Sequence, residues 1–388
     1  MSVASIRLSK RGVERLKSGH VWVYRSDVGA PNAQQPGVVR LVDDRGWFLG
    51  TALYGAHSTI AVRMLSREDV VVDRDFWKAR LQSAIALRTS LFPSGGAVRL
   101  VHGEADLMPG LVVDRYDDVL VIQTTIEATD ALRGLFTELL VELCAPRAIV
   151  ERNDLKVREH EGLPQRRGVI WGTLPDSRVS FREGDVTLVA DLIEGQKTGA
   201  FLDQRENRIA AGLYAHGRAL DCFTYNGAFA LQLARRAQQV TAVEISEKAV
   251  EQTRENAARN AITNLDVICG NAFDFLRAQA DKGERYDTIV LDPPAFAKKR
   301  EDLTAAMRGY KEINLRAMQL LAPGGILVTA SCSFHISEEV FGNMVTSAAI
   351  DVGRSVQLLE RRRAGRDHPT LLGVPESGYL KCFIARVL

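Results

Sequence analysis

From about Gly195 onward the sequence alternates regularly between short apolar runs and longer segments with helical periodicity. The runs are RALDCF (218–223), QVTAVEIS (239–246), LDVICG (265–270), YDTIVLDPP (286–294) and GGILVTASC (324–332). Short and mostly apolar runs are typical of parallel strands that helices cover on both faces. The alternation therefore predicts a doubly wound, Rossmann-like α/β domain over residues 193–388.

Two smaller regions precede this domain. Residues 1–72 contain short alternating runs punctuated by Gly, Asn and Asp, which indicate a β-rich domain. Residues 73–192 mix a helical stretch at 74–92 with strands on either side of a turn at Asp117-Asp118, which indicates a small α+β domain. A chain of 388 residues is long enough for two or three such domains.

Composition excludes several kinds of protein. The 46% hydrophobic and 25% charged residues are typical of a soluble globular chain. No apolar run approaches the roughly 20 residues of a membrane helix, and the N-terminus lacks the apolar core of a signal peptide. We therefore expect a cytoplasmic protein with no membrane partner. The five cysteines lie far apart without a CxxC pair, so neither a metal site nor a disulfide framework is predicted.

Charge is unevenly distributed although the net charge is only +2. Basic residues cluster in residues 1–30, in AKKR (297–300) and in ERRRAGR (360–366). Such clusters are usually solvated faces, but three in one chain could also form a phosphate-binding surface. Both interpretations stay open at this point.

Ligands bind at the carboxyl ends of the strands in a doubly wound sheet, and the first two strand ends favour a nucleoside. Gly227 follows the first strand where the chain turns into a helix. The motif GxGxxG is missing, which disfavours a dinucleotide with its pyrophosphate. Glu244 ends the second strand and can accept hydrogen bonds from both ribose hydroxyls. The alternative is an exposed Glu favoured by the dipole of the next helix.

The third and fourth strands each end in a polar residue. Asn271 could contact an adenine edge, although Asn is equally a good helix N-cap. Asp292 precedes two prolines, which hold the backbone extended and present Asp292 on a stiff loop. Few purely structural turns need that combination.

The fifth strand runs into Cys332, which lies between two serines in the segment SCSFHIS. A free cysteine is often only a small buried hydrophobe, and this is our expectation for Cys144, Cys222, Cys269 and Cys382. His335 could help to ionise the Cys332 thiol, but a loop or N-cap histidine is favoured.

Together and in this order, these strand ends resemble those of the class I S-adenosylmethionine (SAM)-dependent methyltransferases. A closer resemblance, over nearly the whole chain, is to the RlmI-type large-subunit ribosomal RNA cytosine-5 methyltransferases. The segments that carry it are DLIEGQKTGAFLDQRENR (191–208), DCFTYNGAF (221–229), LDPPAFAKKR (291–300), MRGYKEIN (307–314) and SCS (331–333). In that family a PUA domain and a small α+β domain precede the catalytic domain, and residues 1–72 and 73–192 fit those places.

The resemblance implies SAM as the cofactor and large-subunit ribosomal RNA as the partner, with a homodimer as one alternative for the oligomeric state. It implies two catalytic residues: Cys332 as the nucleophile, and Asp292 as a polar contact to the cytosine or to the methyl-donor pocket, with a part in the route by which the carbon-5 proton leaves as a further alternative. The cofactor-binding residues that it implies are Lys197, Thr198, Phe201, Asp221, Phe223, Tyr225, Asn226, Gly227, Glu244, Asn271, Ala272, Asp292 and Pro293. The RNA-binding candidates are Lys10, Arg11, Lys17, Lys298, Lys299 and Arg300.

Cytosine carbon 5 is a poor nucleophile, and a thiolate that adds to carbon 6 makes it reactive, which explains why a cysteine is needed. Many RNA cytosine-5 methyltransferases have a second cysteine directly after D-P-P, where this chain has Ala295, an absence that RlmI-type proteins share.

Two other functions remain as alternatives. One is methylation of an exocyclic amine or a guanine ring nitrogen. Amine methyltransferases carry an aromatic residue directly after D/N-P-P, whereas here Ala295 precedes Phe296, and neither chemistry needs the SCS segment. The other is a non-catalytic RNA-binding assembly factor, which the intact cofactor-site pattern disfavours.

Overall fold

The computed structural model describes residues 3–29, 36–93, 95–296 and 302–388. The chain forms two compact units. The first contains residues up to 181 together with 190–202 and 366–377, and the second contains 182–189, 203–365 and 378–388. The predicted boundaries after residues 72 and 192 stay predictions. In the described part of the chain, no helix is both long enough and apolar enough to cross a membrane.

The N-terminal part of the first unit is a five-stranded sheet, as its β-rich sequence predicted. Its elements are β1 (Ser5–Arg7), α1 (Lys10–Lys17), β2 (Trp22–Val23), β3 (Gly37–Val42), β4 (Phe48–Tyr54) and β5 (Val62–Ser66). The strand order is β1-β3-β4-β5-β2. Helix α1 begins where the Ser9 side chain accepts a hydrogen bond from the backbone N–H of Gly12, the usual role of a serine N-cap.

A second five-stranded sheet follows in the first unit, with strand order β10-β9-β8-β7-β6. Its elements are α2 (Arg74–Leu91), β6 (Val98–His102), β7 (Leu111–Tyr116), β8 (Val119–Thr124), α3 (Glu127–Ala131), α4 (Arg133–Cys144), β9 (Ala148–Asn153), α5 (Lys156–His160) and β10 (Arg166–Gly172). Asp117, with a φ of 56°, makes the predicted turn between β7 and β8. Next along the chain comes a two-stranded sheet of β11 (Arg178–Glu183) and β12 (Val186–Asp191).

The second unit is built on a seven-stranded sheet of order β15-β14-β13-β16-β17-β19-β18. Its elements are α6 (Arg205–Tyr214), β13 (Arg218–Cys222), α7 (Ala228–Ala234), β14 (Gln239–Glu244), α8 (Glu247–Arg259), β15 (Leu265–Cys269), α9 (Ala272–Asp281), β16 (Tyr286–Leu291), α10 (Leu303–Leu320), β17 (Leu321–Ser331), α11 (Glu338–Asp351), β18 (Val356–Arg362) and β19 (Lys381–Val387). Strands β13 to β17 are parallel, which confirms the predicted doubly wound sheet. Strand β19 lies antiparallel between β17 and β18, which the sequence did not reveal.

Both faces of the central strands of this sheet are largely buried, which explains the apolar runs of β13, β14, β16 and β17, whereas the edge strand β15 is largely exposed. Successive side chains of a strand point to opposite faces. Ile289 accordingly packs in one apolar cluster with Tyr310 of α10, while its neighbour Val290 packs in another with Phe229 of α7. Burial on both sides leaves the carboxyl ends of the strands, and the loops that follow them, as the places for polar functional groups.

Candidate active site

Parallel strands bring the sequence-predicted residues to one edge of the sheet. Register pairs Cys222 of β13 with Leu291 of β16, and Leu291 with Thr329 of β17. Asp292 and Cys332, which lie just beyond β16 and β17, are therefore at the same edge on neighbouring strands. This is the arrangement expected of a doubly wound sheet.

The loop after β13 has an unusual backbone. Phe223, Tyr225 and Gly227 have φ values of 65°, 53° and 82°, in the left-handed region that costs a non-glycine residue about 1–2 kcal/mol. At Gly227 a Cβ atom would lie 2.6 Å from Cγ2 of Thr253, so only glycine fits there. Asn226 is buried, and its backbone carbonyl accepts a hydrogen bond from the side-chain amide of Asn256. Such strain is concentrated at functional sites in proteins.

Asp221, near the end of β13, is fully buried and holds this loop. Its Oδ2 accepts hydrogen bonds from the Thr224 hydroxyl and from the Ala230 N–H. Its Oδ1 is buried without a hydrogen-bond partner among the residues that the structure describes. Burial, assisted by the charges of Asp292 and Glu244, raises the pKa of Asp221 to about 7. An ionised Asp221 is therefore costly here unless a positively charged or hydrogen-bonding ligand pairs with it.

Glu244 connects two loops at the end of β14. Its Oε2 accepts a hydrogen bond from the Tyr225 N–H at 3.0 Å. Its Oε1 accepts from the N–H groups of Ile245 and Ser246 at 2.9 and 3.0 Å. The side chain is half-buried, so it orders the loop around Gly227 while part of its surface remains exposed.

Asn271 is the N-cap of α9, the alternative that its sequence position left open. Its Oδ1 accepts hydrogen bonds from the N–H groups of Phe273 and Asp274 at 2.9 and 3.4 Å. The following residue, Ala272, is buried. Because Oδ1 is used by the cap, the side-chain amide nitrogen is the remaining hydrogen-bonding group of Asn271.

Asp292 is held by a residue that sequence reasoning missed. Gln204 is buried, and its Nε2 donates a hydrogen bond to Asp292 Oδ1 over 2.7 Å. The Gln204 Oε1 in turn accepts a hydrogen bond from Asn207 Nδ2 at 2.6 Å. The Asn207 Oδ1 accepts one from Arg362 Nε at 3.0 Å. Gln204 and Asn207 belong to the segment DQRENR, so the motif was visible although its contact with Asp292 was not. Pro293 behind Asp292 is buried.

The two serines around Cys332 are structural. Both are fully buried. The Ser333 N–H donates to Ser331 Oγ at 3.3 Å, and the Ser333 hydroxyl shares a hydrogen bond of 3.0 Å with the Tyr310 hydroxyl. Cys332 between them is half-buried, and its backbone is held by these buried neighbours. His335 is exposed in the next loop, where its ring contacts Phe334, and Ser337 is the N-cap of α11.

The remaining cysteines differ in burial. Cys222 and Cys382 are fully buried, and burial raises the pKa of both thiols. Cys144 is half-buried, and burial raises the pKa of its thiol too. The expectation of a packed thiol was wrong for Cys269, which lies exposed at the end of the outermost strand β15.

Three predicted cofactor residues, Lys197, Thr198 and Phe201, belong to the first unit. The Thr198 hydroxyl donates to Asp114 Oδ2 at 2.5 Å, and Lys197 Nζ lies 4.3 Å from the centre of the Phe201 ring. A role for these three residues in cofactor binding stays a prediction.

The predicted RNA-binding residues of α1 are all exposed. Lys10 and Lys17 lie at the two ends of α1, and Arg11 pairs with the buried Asp27 at 2.7 Å. Lys298, Lys299 and Arg300 lie outside the described residues.

The doubly wound sheet and the residues at its carboxyl edge define a class I SAM-dependent methyltransferase. The chain is 39% identical to a ribosomal RNA large subunit methyltransferase I from Tolumonas auensis, over 99% of each chain, and 38% identical to that of Aeromonas hydrophila over the same shares. It therefore belongs to the ribosomal RNA large subunit methyltransferase I family.

Domain and structural comparisons agree with this assignment. Residues 6–67 match the PUA-like domain, and residues 214–362 match a methyltransferase domain. A protein from Streptococcus mutans assigned as a SAM-dependent methyltransferase superposes with a TM-score of 0.83 at 19% identity, covering 99% of this chain and 100% of that one. The crystal structure of an assigned methyltransferase complexed with SAH (S-adenosylhomocysteine) gives 0.85 at 20% identity, with the same coverage. Both confirm the fold.

Proposed function

We propose that this protein methylates carbon 5 of a cytosine in large-subunit ribosomal RNA through a covalent bond to Cys332. The observation that carries the proposal is half-buried Cys332, which lies between two buried serines just after β17, the strand next to the one that Asp292 follows. A thiol used only for packing needs neither accessibility nor a fixed loop. Nucleophilic catalysis needs both.

In the proposed reaction, the Cys332 thiolate adds to carbon 6 and forms a carbon–sulfur bond. The electron pair of the 5,6 double bond moves to carbon 5, which thereby becomes able to accept a methyl group. A base then removes the proton from carbon 5, the double bond re-forms, and the sulfur leaves as a thiolate. Asp292, oriented by Gln204, would hold the cytosine or the methyl-donor pocket during these steps.

The residues around Gly227 fit SAM, which supplies the methyl group as an electrophile when it is bound. The unpartnered Oδ1 of buried Asp221 suits a cationic or hydrogen-bonding group. The Glu244 carboxylate suits ribose hydroxyls, and the amide of Asn271 suits an adenine edge. Phe223, Tyr225, Asn226, Ala272 and Pro293 would form the remaining walls.

The substrate is inferred from the relatives, whose names give large-subunit ribosomal RNA, and from the PUA-like match at residues 6–67. We infer that the basic ends of α1 contact RNA phosphates and that the protein acts in the cytoplasm, where that RNA is found. A homodimer stays a prediction that analytical ultracentrifugation would test.

Methylation of an exocyclic amine is less well supported. That chemistry uses an aromatic residue after D-P-P to stack on the base. The Phe296 ring packs instead against Tyr310, with ring centres 4.6 Å apart, and against Phe223 and Phe273. The ring also lies 3.2 Å from where a Cβ atom would be on Gly309, which explains the glycine in MRGYKEIN.

The decisive experiment uses RNA that contains 5-fluorocytosine. Fluorine cannot leave carbon 5 as a proton, so methyl transfer should trap a covalent RNA–protein adduct that survives denaturing electrophoresis. Cys332→Ser should form no adduct and lose nearly all turnover while still binding SAM, because an alkoxide is far less accessible than a thiolate near neutral pH. The matched control is Cys269→Ser, which should form the adduct normally. Cytosine-5 methylation by Cys332→Ala near the parent rate would refute the proposal.

A further inference from the structure

A buried lysine lies next to the proposed nucleophile. Lys381 is the first residue of β19, and register places it directly opposite Ser331 of β17. Only 4% of its surface is exposed. Its Nζ donates hydrogen bonds to the Ser333 carbonyl at 2.7 Å and to the Tyr379 carbonyl at 2.8 Å. The lysine therefore ties the end of β19 to the residue that directly follows Cys332.

The two carbonyls that Lys381 contacts are neutral and carry no charge to balance a buried ammonium group. Lysine is almost never buried to this degree unless a negative charge is paired with it. Burial lowers the pKa of Lys381 to about 8, whereas negative charge on Cys332 and on Glu338 acts to raise it. The interaction is mutual, since an ammonium that a thiolate stabilises also stabilises that thiolate.

We propose that Lys381 is a positioning residue for Cys332, whose ammonium group fixes the Ser333 carbonyl and stabilises the neighbouring thiolate. This inference rests on the proposed function, in which Cys332 acts as the nucleophile. It adds the source of the positive charge that a reactive thiol requires near neutral pH.

Two other ionisable groups described near this pair, Glu338 and Tyr310, do not supply that charge. Glu338, at the start of α11, is an anion whose carboxylate pairs with Arg363 at 3.1 Å and with Arg361 at 3.8 Å. The Tyr310 hydroxyl contacts Ser333, and burial raises the pKa of this phenol, so it stays neutral while the thiol ionises. Lys381 therefore carries the positive charge that acts on Cys332 from the neighbouring strand.

The test measures how fast iodoacetamide alkylates Cys332 as a function of pH, by mass spectrometry of the Cys332 peptide. Cys269, which is exposed in the same protein, is the internal reference. Lys381→Met should slow alkylation of Cys332 about tenfold at pH 7 and move its pH profile upward by about one unit, because less thiolate is present. Alkylation of Cys269 should not change. Lys311→Met, which removes an outer lysine paired with Asp351, should leave both rates unchanged.

Two further variants separate charge from hydrogen bonding. Lys381→Arg keeps the charge and should restore most of the alkylation rate. Lys381→Gln keeps a donor for the carbonyls without the charge, so its Cys332 should be alkylated as slowly as in Lys381→Met. If Lys381→Met does not fold, Lys381→Gln provides the same comparison. An unchanged profile in the neutral variants, or rescue by Gln equal to that by Arg, would overturn the proposal. Because alkylation needs no RNA, its outcome is independent of whether cytosine is the target.

Discussion

The side-chain amide of Gln204 donates a hydrogen bond to Oδ1 of Asp292, and this bond of 2.7 Å fixes the carboxylate that follows β16. Gln204 is itself held by Asn207, so the carboxylate at the candidate active site is oriented by two residues at the start of the second unit's chain segment 203–365. An oriented carboxylate can contact a substrate without first reorganising, which is how positioned groups contribute to catalysis.

Removal of the Gln204 amide should therefore affect activity more than stability. Gln204→Leu removes one hydrogen-bond donor from the half-buried Asp292 carboxylate and should lower the free energy of unfolding by about 1–3 kcal/mol. It should also lower kcat by about tenfold or more, because Asp292 loses its orientation. Gln232→Leu is the matched control, since buried Gln232 donates a similar bond of 2.8 Å to the Glu183 carbonyl. It should show the stability loss with normal kcat. Equal kcat values in the two variants would contradict the role given to Gln204.

The glycine turn should be intolerant of a side chain. Gly227→Ala places a Cβ atom 2.6 Å from Thr253 and 2.8 Å from Leu231, at a φ of 82°. We expect SAM affinity, measured by calorimetry, to fall more than about tenfold because the loop shifts. The free energy of unfolding should also fall by about 1–2 kcal/mol, the cost of an alanine in the left-handed region. Gly353→Ala has a φ of 67° but open space around it, so it should lose stability alone. Unchanged SAM binding by Gly227→Ala would remove this turn from the cofactor site.

Asp221 should make the stability of the ligand-free protein depend on pH. The pKa of Asp221 is about 7 in the folded protein, and an unfolded aspartate has a pKa of about 4. Between these values the folded state retains a proton that the unfolded state has lost. The contribution of Asp221 to the free energy of unfolding is therefore full below about pH 4 and is lost as the pH rises through 7, at up to about 1.4 kcal/mol per pH unit.

Asp221→Asn lacks this titration and provides the measurement. In urea denaturation at pH 5 and pH 7.5, the free energy of unfolding of the Asn variant should rise relative to the parent at the higher pH. Parallel behaviour of the two proteins would show that Asp221 ionises normally in the fold.

Lys10 and Lys17 should contact RNA phosphates. The pair of changes Lys10→Glu and Lys17→Glu should weaken binding of a ribosomal RNA fragment and flatten the slope of log affinity against log salt by about 2, close to one per lost phosphate contact. SAM affinity should stay the same. Arg11→Gln should change the slope less, because Arg11 is already paired with Asp27. An unaltered slope in the double variant would show that these lysines belong to a solvated face and do not contact RNA phosphates.

Much of the site could be predicted because parallel strands impose one geometry on their ends. Gly227, Glu244, Asp292 and Cys332 each follow an apolar run, and strands buried on both faces must lie in the middle of a parallel sheet. The local pattern around each residue was therefore enough to place it at the carboxyl edge. The exposure of Cys269 was not predictable in this way, because an apolar run does not say which strand lies outermost.

The sequence by itself determined the fold class, the family and the residues that follow each strand, since these depend on patterns within a few residues of one another. Only the tertiary structure decided which distant side chains meet there. Gln204 lies 88 positions before Asp292, and Lys381 lies 48 positions after Ser333. The Lys381 contact exists because β19 enters the sheet antiparallel between β17 and β18. Its direction depends on the path of the connecting chain, and an apolar run is compatible with either direction.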